Sequence, residues 1–379
     1  MDQEKITAQL EKKRAELDRL DQELIRQFEQ RIDIARQIGA IKEETGMPVL
    51  DAGREKEVLR SRVALLKDPT LEEDAEAFFK QLMQISRRAQ EKQRKTNLSP
   101  QKVAFQGIAG SYGHQAAGLF FGSDAHLIPC AQFLDAMEAL VSHNADYAVL
   151  PVENSIAGMV NQTLDILVHQ RCFISGEIIL PISHCLLAPE GAALEGIREV
   201  CSHQQALMQS SQFLAQHPLM ATRMIENTAV SARYVAQQND KQLAAIASRN
   251  CADLYGLTVL AEGIQDCAEN FTRFVIVSRD GYSGTDWNKV SVRFSLPHKS
   301  GSLHEMLRIP AEEGVSLTSI VSRPYPGQSF QYYFYADIEA DSTEQIEKAL
   351  ERMSDASRDW ALLGRYASAE RRTTWDASI

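Results

Sequence analysis

The 379-residue sequence has no apolar stretch near the roughly 18 residues that a membrane span requires, so a membrane is not an expected partner. Met1-Asp-Gln-Glu-Lys mixes charges and runs straight into a helical pattern; without the apolar core of a secretory signal, a cytoplasmic location is expected. Six cysteines are scattered with no C-x-x-C pair, which suits buried thiols in a reducing compartment rather than a disulfide framework. Positive charge is in short supply: the formal net charge is -11, an unfavourable field for nucleic acid. The basic run from Arg87-Arg88 to Lys95 is interleaved with Glu91 and glutamines, like a solvated helix face. Neither G-x-G-x-x-G nor G-x-x-x-x-G-K-[ST] occurs, and the nine histidines lack H-E-x-x-H or similar spacing, so no cofactor and no metal are expected.

What is present points to several domains, given a prior of about 150 residues per domain. Residues 1–95 carry almost no strand signal. They read as a long amphipathic helix to about Glu44, a short one after Asp51 and a third from about Leu71, with breaks at Gly46/Pro48 and Asp68-Pro-Thr. After a linker ending at Pro100, short apolar strands alternate with helical stretches over residues 102–279: Val103 to Phe105, Tyr147 to Pro151, Ile197 to Cys201, Ala244 to Ala247 and Phe274 to Val277. That is α/β architecture. Beyond a second linker at Asp280-Gly-Tyr-Ser-Gly-Thr-Asp, residues 289–379 give the order βαββαβ, a ferredoxin-like α+β module.

In the first helix Leu10, Arg14, Leu17, Asp21, Leu24, Phe28, Arg31, Ala35, Ile38 and Lys42 recur at steps of four and three, a heptad seam. Cations stand where leucines are normal, and burying unpaired charge costs several kcal/mol, so an anion should offset it. Eleven positions at about 100° each leave Arg31 and Lys42 on one face. Asp51, Arg54 and Glu55 share a face of the second helix, and Ser86 and Gln90 a face of the third. The plainer reading is a helical dimerisation domain whose seam charges pair with Asp21 or reach solvent.

The string Arg14-Ala-Glu-Leu-Asp-Arg-Leu-Asp, then Arg31, Gly39-Ala-Ile-Lys42, Pro48-Val-Leu-Asp51 and Arg54-Glu55, resembles the all-helical chorismate mutase family over about residues 8–92. The resemblance implies a three-helix domain forming an intertwined dimer. Arg14 and Arg31 would bind the two carboxylates of chorismate, with Arg14 reaching into the partner subunit's site. It further implies Lys42 and Gln90 on the ether oxygen, Asp51 and Glu55 at the hydroxyl end, Ser86 on a carboxylate and Arg54 completing the cage. A pericyclic rearrangement suits such a site: clamping and charge stabilisation suffice, without nucleophile or cofactor.

In residues 102–279 polar clusters follow strands: Gly107-Ile-Ala-Gly110-Ser111-Tyr112, Pro151-Val-Glu153-Asn154-Ser155, Ser202-His203-Gln204, Glu226-Asn227-Thr228-Ala-Val-Ser231 and Asn270-Phe-Thr272-Arg273-Phe274. Strand-end loops line the ligand crevice of open α/β sheets, although each cluster alone is also ordinary turn and cap chemistry. The Gly110-Ser-Tyr-x-His114-Gln-Ala-Ala, Pro-Val-Glu-Asn-Ser, Asn-Thr-Ala-x-Ser and Asn-x-Thr-Arg-Phe strings resemble prephenate dehydratase, which implies two α/β lobes with the site between them. Carried over, Thr272 is the residue most essential to catalysis. Arg273 and Phe274 shape the site, and Asn154, Ser155, Asn227, Thr228 and Ser231 bind prephenate. A threonine hydroxyl is a poor acid, so Thr272 is cast as a donor polarising the leaving hydroxyl, with Glu153, His203 or water as the proton source.

The C-terminal module resembles the amino-acid-binding ACT domain found behind prephenate dehydratases, with Gly301-Ser302-Leu303 and Ser322-Arg323-Pro324 at its two effector-contact segments. Ser302 replaces the usual alanine, and Val321 stands where glutamate is common. The resemblance implies L-phenylalanine as effector; the alternative is a passive dimerisation module. Together these features imply a bifunctional enzyme, chorismate to prephenate to phenylpyruvate, acting as a homodimer or higher homo-oligomer. Two alternatives are a dehydratase with a non-catalytic helical dimeriser and a non-catalytic two-lobed ligand-binding sensor.

Overall fold

The computed structural model describes residues 3–44, 52–97, 100–282, 284, 286–325 and 331–369, with only the backbone described at 3–10, 43–44, 52–56, 69, 84 and 87–97. Two compact units result, residues 1–99 and 100–379.

The first unit is helical: α1 (Gln3–Glu44), α2 (Ala52–Val63) and α3 (Glu72–Asn97). Basic Arg60 and Arg62 end α2, while Glu72, Glu73 and Asp74 open α3, each favourable to its helix dipole. Between them Asp68 accepts from the backbone N–H of Thr70 (3.0 Å) and from its hydroxyl (2.7 Å), turning the chain into α3. Ile32 and Ala35 of α1 are buried, as is Met83 of α3. N-terminal to this contact the seam lies open: Leu17, Leu24 and Phe28 are 58%, 55% and 37% exposed.

The second unit begins with a lobe of β1 (Lys102–Gln106), α4 (Tyr112–Phe121), β2 (His126–Cys130), α5 (Phe133–Val141), β3 (Tyr147–Asn154), β4 (Gly158–Met159), α6 (Asn161–His169) and β5 (Phe173–Pro181). The chain then crosses into a second lobe: β6 (Cys185–Ala188), β7 (Glu199–Ser202), α7 (Gln204–Gln209), α8 (Ser211–Gln216), β8 (Ala221–Met224), α9 (Thr228–Gln238), β9 (Leu243–Ala247), α10 (Arg249–Tyr255) and β10 (Thr258–Ala261). It returns through β11 (Phe271–Ser278), which lies between β3 and β5 and antiparallel to both. Phe274 to Val277 are fully or almost fully buried, as expected of a central strand covered on both faces. The second lobe has its own sheet, ordered β10-β6-β9-β7-β8.

The C-terminal module follows as β12 (Lys289–Ser295), α11 (Ser302–Glu312), β13 (Ser316–Pro324), β14 (Tyr332–Glu339), α12 (Thr343–Ala356) and β15 (Asp359–Tyr366). Its strands pair antiparallel in the order β13-β14-β12-β15, the βαββαβ arrangement expected from the sequence. The module does not stand apart. Gly364 of β15 pairs with Ile174 of β5, so among the described residues one ten-stranded sheet runs from the first lobe into the module. A Cβ at Gly364 would sit 2.0 Å from the Ile174 carbonyl oxygen, so only glycine permits this approach.

Candidate active sites

In the helical unit the described polar groups gather at Arg31. Its Nη1 donates to the Leu82 carbonyl (3.2 Å) and to Ser86 Oγ, and the buried Ser86 hydroxyl donates to the same carbonyl at 2.8 Å. Burial, and then the nearby Arg62, lower the pKa of the Arg31 guanidinium. Among the described residues no carboxylate pairs with Arg31. Lys42 is half-buried in the last turn of α1, on the face that Arg31 occupies. Arg14 is exposed and, 17 residues earlier, about 25 Å from Arg31 along the helix. One small molecule cannot touch both in a single chain. Asp51 and the side chains of Arg54, Glu55 and Gln90 lie outside the described residues.

In the second unit, Thr272 of β11 is the register partner of Asn154 at the end of β3. Asn154 Nδ2 donates to Thr272 Oγ1 (3.0 Å), Asn270 Oδ1 (2.8 Å) and the Phe271 carbonyl (3.0 Å). Its Oδ1 accepts from the backbone of Ile156 (3.1 Å) and Ala157 (2.8 Å). Ser155 Oγ accepts from the Phe271 N–H at 2.9 Å. The Thr272 oxygen is thus an acceptor towards the protein, and its own proton remains to be donated outward.

The remaining clusters are helix starts. Ser111 caps α4, accepting from His114 N at 3.3 Å. Gly107 (φ +107°) and Gly110 (φ +88°) shape the preceding loop, where a Cβ on Gly110 would meet Cys251 Sγ at 2.9 Å. The Gly110 carbonyl accepts from Cys251 (3.3 Å), tying the loop to α10 of the other lobe. Asn227 caps α9, accepting from Val230 N (2.8 Å), and the buried Ser231 hydroxyl donates to the Asn227 carbonyl (2.9 Å). Thr228 opens that helix, half-buried. His203 caps α7 through Nδ1, and Glu153 is half-buried on β3.

In the C-terminal module Gly301 (φ +86°) precedes α11, the buried Ser302 donates to the Pro297 carbonyl (2.8 Å), and Leu303 is 39% exposed. Ser322, Arg323 and Pro324 end β13. Arg323 forms a two-pronged ion pair with Asp165 of α6 (3.0 and 2.6 Å), and Tyr333 donates to the same carboxylate (2.8 Å). Arg323 holds the Asp165 carboxyl below the usual range.

Residues 103–282 match the prephenate dehydratase family and residues 13–91 the type II chorismate mutase family. The bifunctional chorismate mutase/prephenate dehydratase of Aquifex aeolicus is 32% identical, over 95% of this chain and 98% of that protein. The chain belongs to the bifunctional chorismate mutase/prephenate dehydratase family. The enzyme of that name from Neisseria gonorrhoeae is 35% identical over 93% of this chain and 95% of its own length. The prephenate dehydratase structure from Arthrobacter aurescens, in complex with L-Phe, superposes with a TM-score of 0.65 at 33% identity, covering 71% of this chain and 91% of that one.

A bifunctional chorismate mutase/prephenate dehydratase therefore carries its two chemistries on the helical unit and on the two-lobed α/β region. The family resemblance puts Arg273 and Phe274 with the substrate, and the structure locates them differently. Phe274 is 3% exposed and packs in the core with Val103, Phe105 and Ile178. The buried guanidinium of Arg273 donates to Glu177 (2.6 Å), Asp337 (2.5 Å) and the Tyr366 hydroxyl (3.0 Å). Strand alternation explains the placement of Arg273, since Thr272 and Arg273 are neighbours and face opposite ways; Phe274 shares the Thr272 side of the strand but lies in the core. Lys289 adds a second cation, 3.1 Å from Glu177. Burial alone would raise the Asp337 pKa, but Arg273 overrides it and holds the carboxyl below its usual value. Arg273→Met should leave two buried carboxylates facing one lysine and cost about 3–5 kcal/mol. Urea unfolding of the second unit would register this as a lower midpoint, and an unchanged midpoint would contradict it.

Proposed function

We propose that chorismate is bound in the helical unit by Arg31, Ser86 and Lys42, together with Asp51, Arg54, Glu55 and Gln90, and that Arg14 completes the site of a second copy. The half-buried Arg31, short of a carboxylate among the described residues, carries this reading. The ~25 Å between Arg14 and Arg31 supports a homodimer, as does the exposed seam at Leu17, Leu24 and Phe28. In the rearrangement the ether C–O bond breaks as a C–C bond forms and no proton moves. Arg31 and Arg14 clamp the carboxylates in a folded conformer, and Lys42 with Gln90 stabilises charge developing on the ether oxygen.

Prephenate is then taken up between the two lobes. Asn227 and Thr228 at the start of α9 offer donors and a helix N-terminus for carboxylate, and Ser155 lies beside Thr272. Ser231, fully buried with its hydroxyl donated to the Asn227 carbonyl, serves by holding that helix start in place of the direct substrate contact the resemblance implied. Loss of carbon dioxide supplies the electrons that aromatise the ring as the ring hydroxyl departs, and that hydroxyl leaves as water with a proton supplied by Glu153, His203 or water. Thr272, its oxygen engaged by Asn154, donates a hydrogen bond to the leaving oxygen and polarises it without giving up its proton. Asn154 serves by orienting Thr272, and Arg273 and Phe274 by holding the strand.

Residues 289–379 act as an ACT module binding L-phenylalanine at Gly301, Ser302, Leu303, Ser322, Arg323 and Pro324. The βαββαβ topology and the L-Phe held by the Arthrobacter aurescens relative support this. Arg323 on Asp165 gives that segment a direct grip on the dehydratase region. The boundaries 1–95, 102–279 and 289–379 and a cytoplasmic location complete the reading, the latter supported by six free cysteines.

Two substitutions test the placement of the sites. Lys42→Ala should lower mutase kcat by about 10²–10³ and leave dehydratase turnover of added prephenate near normal. Thr272→Ala should do the reverse, with a loss of about 10²-fold or more. Either substitution leaving its own activity intact contradicts the placement. Calorimetric titration with L-phenylalanine should release heat of binding, and no detectable binding would remove the regulatory role while leaving both activities standing.

A further inference from the structure

Where the chain crosses between the lobes, buried polar groups form a continuous chain ending on Thr272. Asn154 sets its direction. Because Asn154 Oδ1 accepts from two backbone N–H groups, its Nδ2 must face Thr272 and Asn270. Asn270, 1% exposed, therefore presents Oδ1 to Asn154 and turns its own Nδ2 to Gln209 Oε1 at 3.2 Å. Gln209 Oε1 also lies 3.1 Å from Nε2 of His184, which is 2% exposed. A carboxamide oxygen only accepts, so His184 carries a proton on Nε2. Burial lowers the His184 pKa, in keeping with a neutral ring. Its Nδ1 faces the Tyr112 hydroxyl (3.3 Å), which donates to the Ser183 carbonyl (2.8 Å).

The placement of these residues gives the chain its meaning. Asn154 and Thr272 belong to the first lobe, Gln209 ends α7 of the second, and His184 and Asn270 lie in the two segments that join the lobes. The backbones of both joining residues are fixed as well: Ile182 N donates to the Asn270 carbonyl (2.7 Å), Ile264 N to the His184 carbonyl (3.0 Å), and His184 N to Gln265 Oε1 (2.9 Å). Asn154 has two amide protons and three acceptors, so the position of Asn270 decides how much of that donation reaches Thr272.

We propose that His184 and Gln209 are positioning residues for the dehydratase reaction: through Asn270 and Asn154 they fix the direction in which Thr272 offers its proton. A rotation of one lobe against the other that pulls Gln209 from Asn270 would release this orientation, so lobe arrangement and donor alignment are a single event. The inference rests on Thr272 being the donor.

The test compares His184→Phe, which lacks the Nε2 proton, with His184→Gln, which keeps a terminal N–H, on added prephenate. His184→Phe should lose about tenfold or more in kcat with KM changed by less than about threefold, and His184→Gln should recover most of that loss. Gln209→Met, which removes the shared acceptor from a half-buried position, should reproduce the kcat defect; it decides the matter if His184→Phe shows no cooperative thermal unfolding. A normal kcat in His184→Phe, or equal losses in the Phe and Gln variants, overturns the proposal. Thr272→Ala, assayed alongside, separates the two levels. If it is inactive beside a normal His184→Phe, the network alone falls; if it is fully active, the placement of the site falls and the network with it.

Discussion

The carboxamide oxygen of Asn154 is pinned by two backbone N–H groups, and the orientation of the side-chain amides around Thr272, the proposed dehydratase site, follows from that. The turn after β3 is local, formed within four residues, yet it settles which end of each successive amide faces the next across both lobes. A hydroxyl like Thr272 has one proton and two lone pairs. Having one lone pair engaged by Asn154 makes the proton available in a defined direction, which is what the proposed hydrogen bond to a leaving hydroxyl needs.

The other face of the same strand is secured by charge. Arg273 and Lys289 meet Glu177 and Asp337 in the buried layer between β5, β11, β12 and β14, and the tyrosine hydroxyls of Tyr335 and Tyr366 close the set with Ser291. Two cations balance two anions, the condition under which such a cluster can be buried at all. Because Asp337 and Lys289 belong to the C-terminal module, the strand bearing Thr272 is braced by the module itself. Gly364 against Ile174 and Arg323 on Asp165 add two further ties between the same partners.

The sequence announces some of this and conceals the rest, for reasons that can be read residue by residue. The heptad seam of α1 and the unbroken Phe274 to Val277 run are local patterns, and both elements stand where those patterns put them. β5 is not legible, because Gly176 and Glu177 interrupt its apolar alternation; Glu177 is tolerated there only through Arg273 and Lys289, 96 and 112 residues away. Thr272 and Asn154 stand out through family resemblance. His184 and Gln209 carry no signal in the sequence, since a lone histidine and a lone glutamine become partners only once the crossing between lobes is built. Arg273, part of the most recognisable motif of all, is directed by strand alternation to the carboxylates and away from the face of Thr272.

The two chemistries occupy separate units, and prephenate is the product of one and the substrate of the other. Following chorismate, prephenate and phenylpyruvate together, in one reaction started with chorismate alone, tests that account most directly. Chorismate should disappear, prephenate should rise and fall, and phenylpyruvate should reach the amount of chorismate supplied. Prephenate that accumulates without giving phenylpyruvate, or chorismate that persists, would contradict it.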